Sequence, residues 1–407
     1  MAKADNPAFE QGQSPRLAAS TLPRSISLLI VGGGIMGLWA AVKAERLGMD
    51  TLLVEAEQLG SGASGGLLGA LMPHMPDRWS DKKQFQFDAL VALETEIAGL
   101  EAETGLSAGY RRCGRIIPLP KPHLRGIAER HERDAAENWV SGERRFHWHV
   151  GDRPPVTGWV DEAAGEAGFV FDTLAARVSP RAMVALLSAF LRTARHVRVA
   201  EQCRVVSLDS AKGRAVLSSG EEIVFGHAIV ANGHRSFPLI RDALGLATGV
   251  ALGQAVKGQA ALLDAAVDPA MPVVFLNGLY VVPHEDGTVA IGSTSEDCFS
   301  EPFGTDEKLE KLLADACAVV PSLGRAPVLE RWAGLRPKAV GRDPMVGSIA
   351  GHPKLVALSG GFKVSFGLAH FLAGAALQTV GGETPSLPSG FGLQQHVNIA
   401  LADFRKF

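Results

Sequence analysis

The chain has 407 residues, 46% hydrophobic and 20% charged, with a formal net charge of −3. That length exceeds what one core usually organises, so two structural domains are expected. The slightly acidic balance excludes general attraction to nucleic acid or to an anionic membrane, and no apolar run is long enough to span a bilayer.

The first 25 residues are polar and interrupted by prolines, and read as a disordered tail. The apolar run Leu28–Val31 then stops in three glycines, which no signal-peptide core does. Ser27 to Gly37 is a strand entering Gly32-x-Gly34-x-x-Gly37, followed by a helix expected from Ile35 to Leu47 and ended by Gly48. Its apolar side is marked by Leu38, Ala41, Val42 and Leu47. A second strand, Thr51–Val54, ends in Glu55. Strand, glycine turn, helix, strand and acid in that order hold a dinucleotide. Gly32 permits the tight turn, Gly34 the approach of a pyrophosphate, and Gly37 the packing of helix on sheet, while Glu55 accepts from ribose hydroxyls.

A second glycine cluster, Gly60 to Gly69, follows the acid and suits backbone contact with a ligand. Helical periods run from Lys82 to Glu103, and Cys113 to Leu119 reads as a strand. The chain is expected to rejoin the nucleotide fold near Phe169. There Ser179 caps a helix with Pro180 at its first position. A strand pair, Val197–Val199 and Arg204–Leu208, precedes the buried run Ala228–Ala231, which ends in Asn232-Gly233. From Gly253 to Val346 alternating strands at Val256–Leu263, Val273–Leu276, Leu279–Pro283 and Val289–Ser293 form an antiparallel sheet, with a helix from Lys308 to Val319. The run Leu355–Gly361 and a small-residue helix from Phe366 to Leu377 close the pattern.

These residues resemble the D-amino-acid oxidase and glycine oxidase family of FAD-dependent amine oxidoreductases. The likeness runs from about Ser27 to Gly381. It rests on the first glycine motif with Glu55, Gly62-Ala63-Ser64-Gly65, Ser179-Pro180, Ala231-Asn232-Gly233 and Trp332-Ala333-Gly334-Leu335-Arg336-Pro337. Tyr280-Val281-Val282-Pro283 and Ile291-Gly292-Ser293-Thr294 add to it. The resemblance implies an α/β fold. A Rossmann-type FAD domain would be built from residues 26–80, 166–248 and 350–407, and an antiparallel substrate domain from 81–165 and 249–349. It implies FAD contacts from Gly32, Gly34, Ile35, Met36, Gly37, Glu55 and Ala56, and from Gly62, Ala63, Ser64, Gly65, Gly66 and Leu67. Val205, Ala231, Asn232, Gly233 and Arg336 belong to the same set, with Gly360, Gly361, Phe362, Lys363, Val364 and Ser365. Glycine oxidases carry Gly-His-Phe-Arg-Asn-Gly before the last helix, where this chain has Gly360-Gly361-Phe362-Lys363-Val364-Ser365. That departure touches the substrate more than the cofactor.

Three side chains are candidates for chemistry. The Arg336 fork can fix the carboxylate of an amino acid above the flavin. Tyr280, one of two tyrosines, can hydrogen-bond the same carboxylate, and Lys363 can donate to the flavin edge or to the substrate. His74 and His234 follow nucleotide-binding loops and read as ordinary loop residues. The expected reaction is hydride transfer from an amine carbon to flavin N5, giving an imine that water hydrolyses. Dioxygen or another acceptor reoxidises the cofactor. Cys113, Cys203, Cys298 and Cys317 show no metal spacing, so no metal is expected, a tether to the flavin is rejected, and a reducing cytosol is expected. A homo-oligomer is compatible with all of this. Two alternatives stay open: trimming of a carboxymethylamino group on tRNA wobble uridine, and a flavin subunit of a heteromeric amine dehydrogenase. The tRNA reading would use the basic stretch Arg111–Arg153, with ten Lys/Arg against six Asp/Glu.

Overall fold

Leu28, Leu29 and Ile30 are fully buried because their strand, Ser25–Val31, lies inside a sheet covered on both faces. Such strands read as continuous apolar runs and not as alternation. The computed structural model describes residues 22–405. Most of the expected tail lies outside those residues, but Leu22 packs on the core and the first strand already begins at Ser25.

The first sheet has eight strands. Leu28–Val31 pair in parallel with Thr51–Val54 on one side and with His227–Val230 on the other. Val197–Ala200 extends the sheet beyond Thr51–Val54, and Leu355–Ala357 runs parallel to Ala228–Val230. The helices Ile35–Arg46, Asp81–Thr104, Pro180–Arg192 and Ser365–Val380 share one apolar cluster with strand residues such as Leu28 and Ile30. Ser179 caps the third of these helices, its hydroxyl accepting from the Ala182 N–H.

The second sheet also has eight strands. In spatial order they are Val328–Ala339, Gly253–Asp264, Thr288–Gly292, Leu279–Pro283, Val273–Leu276, Arg115–Pro118, Phe169–Asp172 and Trp148–Gly151. All neighbours are antiparallel except Val273–Leu276 and Arg115–Pro118, which run parallel. The helix Glu307–Val319 buries Leu309 and Ala316 against one face with Ala261, Val281 and Ile291. The opposite face, one residue out of phase, carries Trp332, Gly334, Arg336, Ala260, Tyr280 and Phe275.

Several expectations change. Val197–Ala200 and Val205–Asp209 do not pair with each other. They stand at opposite ends of the first sheet, the second in a meander with Arg214–Leu217. Phe169–Asp172 belongs to the second sheet, so the chain rejoins the first one later than Phe169. Met345–Ile349 pairs with His352–Ser359 in the first sheet and not in the second. Asp81–Thr104, assigned to the substrate domain, buries Leu90, Leu93 and Ile97 among the nucleotide-sheet helices. Leu47, placed on the apolar side of the first helix, is 65% exposed because the helix stops at Arg46.

One buried group makes the fold acid-sensitive. His370 packs against Trp39 and Phe371, and burial, with Lys43 adding to it and Glu96 opposing, pushes its pKa from 6.5 down to about 3. The folded state therefore binds fewer protons than the unfolded chain between those values. Stability should fall as pH drops through the ordinary histidine range, by about 2 kcal/mol at pH 5 from this group alone. His370→Phe should flatten the dependence of Tm between pH 7 and pH 5; an unchanged slope would rule His370 out as its source.

Candidate active site

The cavity opens where the first sheet's parallel strands end and the bare face of the second sheet comes over them. It has a volume of about 940 Å³, near the upper end for small-molecule sites. The turn after Val31 forms its floor. Gly32 adopts φ +108°, and a Cβ there would lie 2.6 Å from the Asn232 Cα, so two strand ends meet at this residue. Gly37 is packed more tightly still, since a Cβ would stand 1.8 Å from the Gly32 carbonyl oxygen. Gly37 does not line the cavity; it lets the helix start against the turn.

Glu55 accepts from the Gly33 N–H at 2.7 Å and from the Glu57 N–H at 2.9 Å. Both oxygens are thereby oriented, and each keeps acceptor capacity for a hydroxyl. The Ser64 hydroxyl accepts from the Ile35 N–H at 2.9 Å, so the glycine-rich loop caps the helix from a distance. Its proton remains free to donate toward the cavity. Gly34 carries no cap of its own.

Gly32, Gly34, Ile35, Met36, Glu55 and Ala56 line the cavity, as do Gly62, Ala63, Ser64, Gly66 and Leu67. Val205, Ala231, Asn232 and Gly233 join them, and so does the whole stretch Gly360 to Ser365. Gly65 does not. Its N–H donates to the Gly62 carbonyl, and a Cβ there would meet the Gly60 oxygen at 2.7 Å, so it shapes the loop from behind. His74 and His234 reach the cavity wall, where burial lowers both pKa values.

Arg336 stands on the same wall. Its Nη1 donates to Ser293 Oγ at 2.9 Å, and its Nη2 donates to the Thr294 carbonyl and, at 3.4 Å, to that of Lys257. Nε is buried without a partner. The guanidinium sits 5.4 Å from the Phe362 ring centre, and Lys363 Nζ lies 5.8 Å from the same ring. Burial pulls the Arg336 pKa down to about 10, with Tyr280 and Glu296 pulling the other way, so it is cationic at neutral pH. Lys363 is lowered by burial and then by Arg336. Tyr280 is raised by burial, with Arg115 and Arg336 opposing. The three candidates thus meet in one cavity. The set that holds Arg336 was not read beforehand: Ser293, the carbonyls of Lys257 and Thr294, and Gly258, where a Cβ would lie 2.2 Å from Arg336 Nη2. Gly258 alternates with Ala260 along its strand, the one sequence signal available.

The donor set fits a flavin dinucleotide. A glycine turn opening a helix N-terminus, a fixed carboxylate at the second strand end, and bare glycine backbone at Gly62 are what a pyrophosphate and ribose need. Fold and site together define a dinucleotide-binding protein. A family profile described as "DAO: FAD dependent oxidoreductase" matches residues 27–375, and the chain belongs to that family. It is similar to the glycine oxidase of Pseudomonas putida, 28% identical over 343 residues that cover 81% of this chain and 88% of that protein. It is 26% identical over 350 residues to the tRNA 5-methylaminomethyl-2-thiouridine biosynthesis bifunctional protein of Maricaulis maris, covering 84% of this chain but 49% of that one. Glycine oxidase from Geobacillus kaustophilus shares the fold, with a TM-score of 0.79, 21% identity, and coverage of 91% and 99% of the two chains. Among the described residues no cluster could hold a metal ion, and no helix is long and apolar enough to cross a membrane.

Proposed function

We propose that this FAD-dependent oxidoreductase oxidises the C–N bond of a small amino acid or secondary amine. The observation that carries the reading is Arg336, a half-buried cation on the cavity wall whose buried Nε is unpartnered. A substrate carboxylate supplies the missing acceptor, and a charge-assisted bond in a site shielded from water fixes the direction of the α-carbon. Tyr280 lines the same cavity, and Lys363 stands against the same Phe362 ring as Arg336. Bound FAD supplies the two-electron acceptor for the hydride leaving the amine carbon. Water then hydrolyses the imine to a keto acid or aldehyde and an amine. The free cysteines Cys113, Cys203, Cys298 and Cys317 suit a reducing compartment such as the cytosol.

The RNA reading has less support. Arg111, Arg112, Arg125 and Arg144 of the basic stretch are ion-paired within the chain, to Glu285, Glu94, Glu129 with Asp152, and Glu94. Mixing the purified holoprotein anaerobically with glycine, sarcosine, proline and D-alanine tests the proposal. Bleaching of the flavin absorbance by at least one of them is expected. A yellow protein that neither these four nor an acidic or N-carboxyalkyl amino acid bleaches overturns the small-amine reading.

A further inference from the structure

The cavity face of the second sheet carries another arginine to which amine oxidation, as described, gives no task. Arg115 is 2% exposed and lines the same cavity as Arg336. Its Nε donates to Asp172 Oδ2 at 2.5 Å, and the other oxygen of Asp172 accepts from the Ala175 N–H at 2.8 Å. Its Nη2 is buried and has no partner. A structural ion pair accounts for the Nε contact but leaves this donor unmet, which is costly inside a protein. The rings of Trp148 and Phe275, 5.8 and 5.9 Å from the guanidinium carbon, hold its position.

The register places Arg115 relative to the site. Tyr280 pairs with Phe275 on one neighbouring strand and with Gly292 on the other. Arg336 reaches Ser293, the residue after Gly292, while Arg115 lies against Phe275. The wall therefore runs from Arg336 through Ser293, Tyr280 and Phe275 to Arg115, and the Tyr280 phenol feels both guanidinium charges.

We infer that the substrate carries a second carboxylate, received by Arg115 while Arg336 holds the first. The class is an acidic amino acid or an N-carboxyalkyl amino acid. This rests on the amine-oxidation reading and narrows it. Flavin difference spectra of the holoprotein, titrated with succinate, glutarate and propionate, test it without turnover. One dicarboxylate should bind about 10- to 100-fold tighter than propionate, the effect of one charged hydrogen bond. Arg115→Gln should remove that advantage and leave propionate within about twofold. Because Asp172 is buried, Arg115→Gln with Asp172→Asn serves where the single variant does not fold, and should behave likewise. Equal affinity for dicarboxylates and propionate, or an equal loss for both in the variant, overturns the assignment. Bleaching by sarcosine in the same preparation then keeps the amine reading alive, whereas failure of every amine to bleach the flavin removes that reading itself.

Discussion

Arg336→Ala protein should purify yellow yet reduce its flavin with amine substrates about 30- to 4,000-fold more slowly in kcat/KM. Truncating one partner of a buried, hydrogen-bonded charge pair costs about 2–5 kcal/mol, and each 1.4 kcal/mol is tenfold. Loss is expected in binding and in rate together, because the same contact sets where the α-carbon sits. Gly258→Ala should reproduce part of the effect with the arginine still present. Its Cβ would stand 2.2 Å from Nη2 and 2.5 Å from the guanidinium carbon, so the fork must leave its place between Ser293 and Thr294. Anaerobic stopped-flow reduction of both variants is the measurement. An Arg336→Ala protein reduced at the parent rate would sink the proposed role outright.

Gly37→Ala should yield a colourless protein of low stability. The added methyl would lie 1.8 Å from the Gly32 carbonyl oxygen, closer than any side-chain rotation can relieve. Backbone must yield instead, at a cost of at least the 1–3 kcal/mol usual for overpacking. The part that yields is the turn between the first strand and its helix, whose geometry places Gly34 at the cavity and the Ile35 N–H on Ser64. Cofactor content should thus fall more steeply than folded yield. The ratio of flavin to protein absorbance after purification, with Tm in added FAD, separates the two effects. Stoichiometric flavin and a parental Tm in Gly37→Ala would contradict the packing argument.

How much of this was open to the sequence depends on range. The strand Ser25–Val31, the helix Ile35–Arg46 and the strand Thr51–Val54 with Glu55 follow from neighbours within about thirty residues. Buried parallel strands, a glycine turn and a terminal acid leave their own marks in such a stretch. The cap at Ser179 is equally local. Arg336 stood out through the family likeness of its strand, and not through any physical signal of its own.

Strand pairing is set otherwise. A strand's own residues say that it pairs, while its partner depends on which edges and faces remain to be covered. That is why Val197–Ala200 and Val205–Asp209, adjacent in sequence, end at opposite sides of one sheet. The same freedom put Phe169–Asp172 beside Arg115–Pro118 and brought Asp172 to the Arg115 guanidinium. Around Arg336 the acceptors come from Lys257, Ser293 and Thr294, on separate segments joined only by the register of the second sheet. Sequence alone determined the dinucleotide unit, because its chemistry is written in short range, and singled out the candidate side chains through the family likeness. Tertiary structure alone decided which of them share one wall, and it set Arg115 there with an unmet donor, because burial and pairing are properties of the assembled sheets.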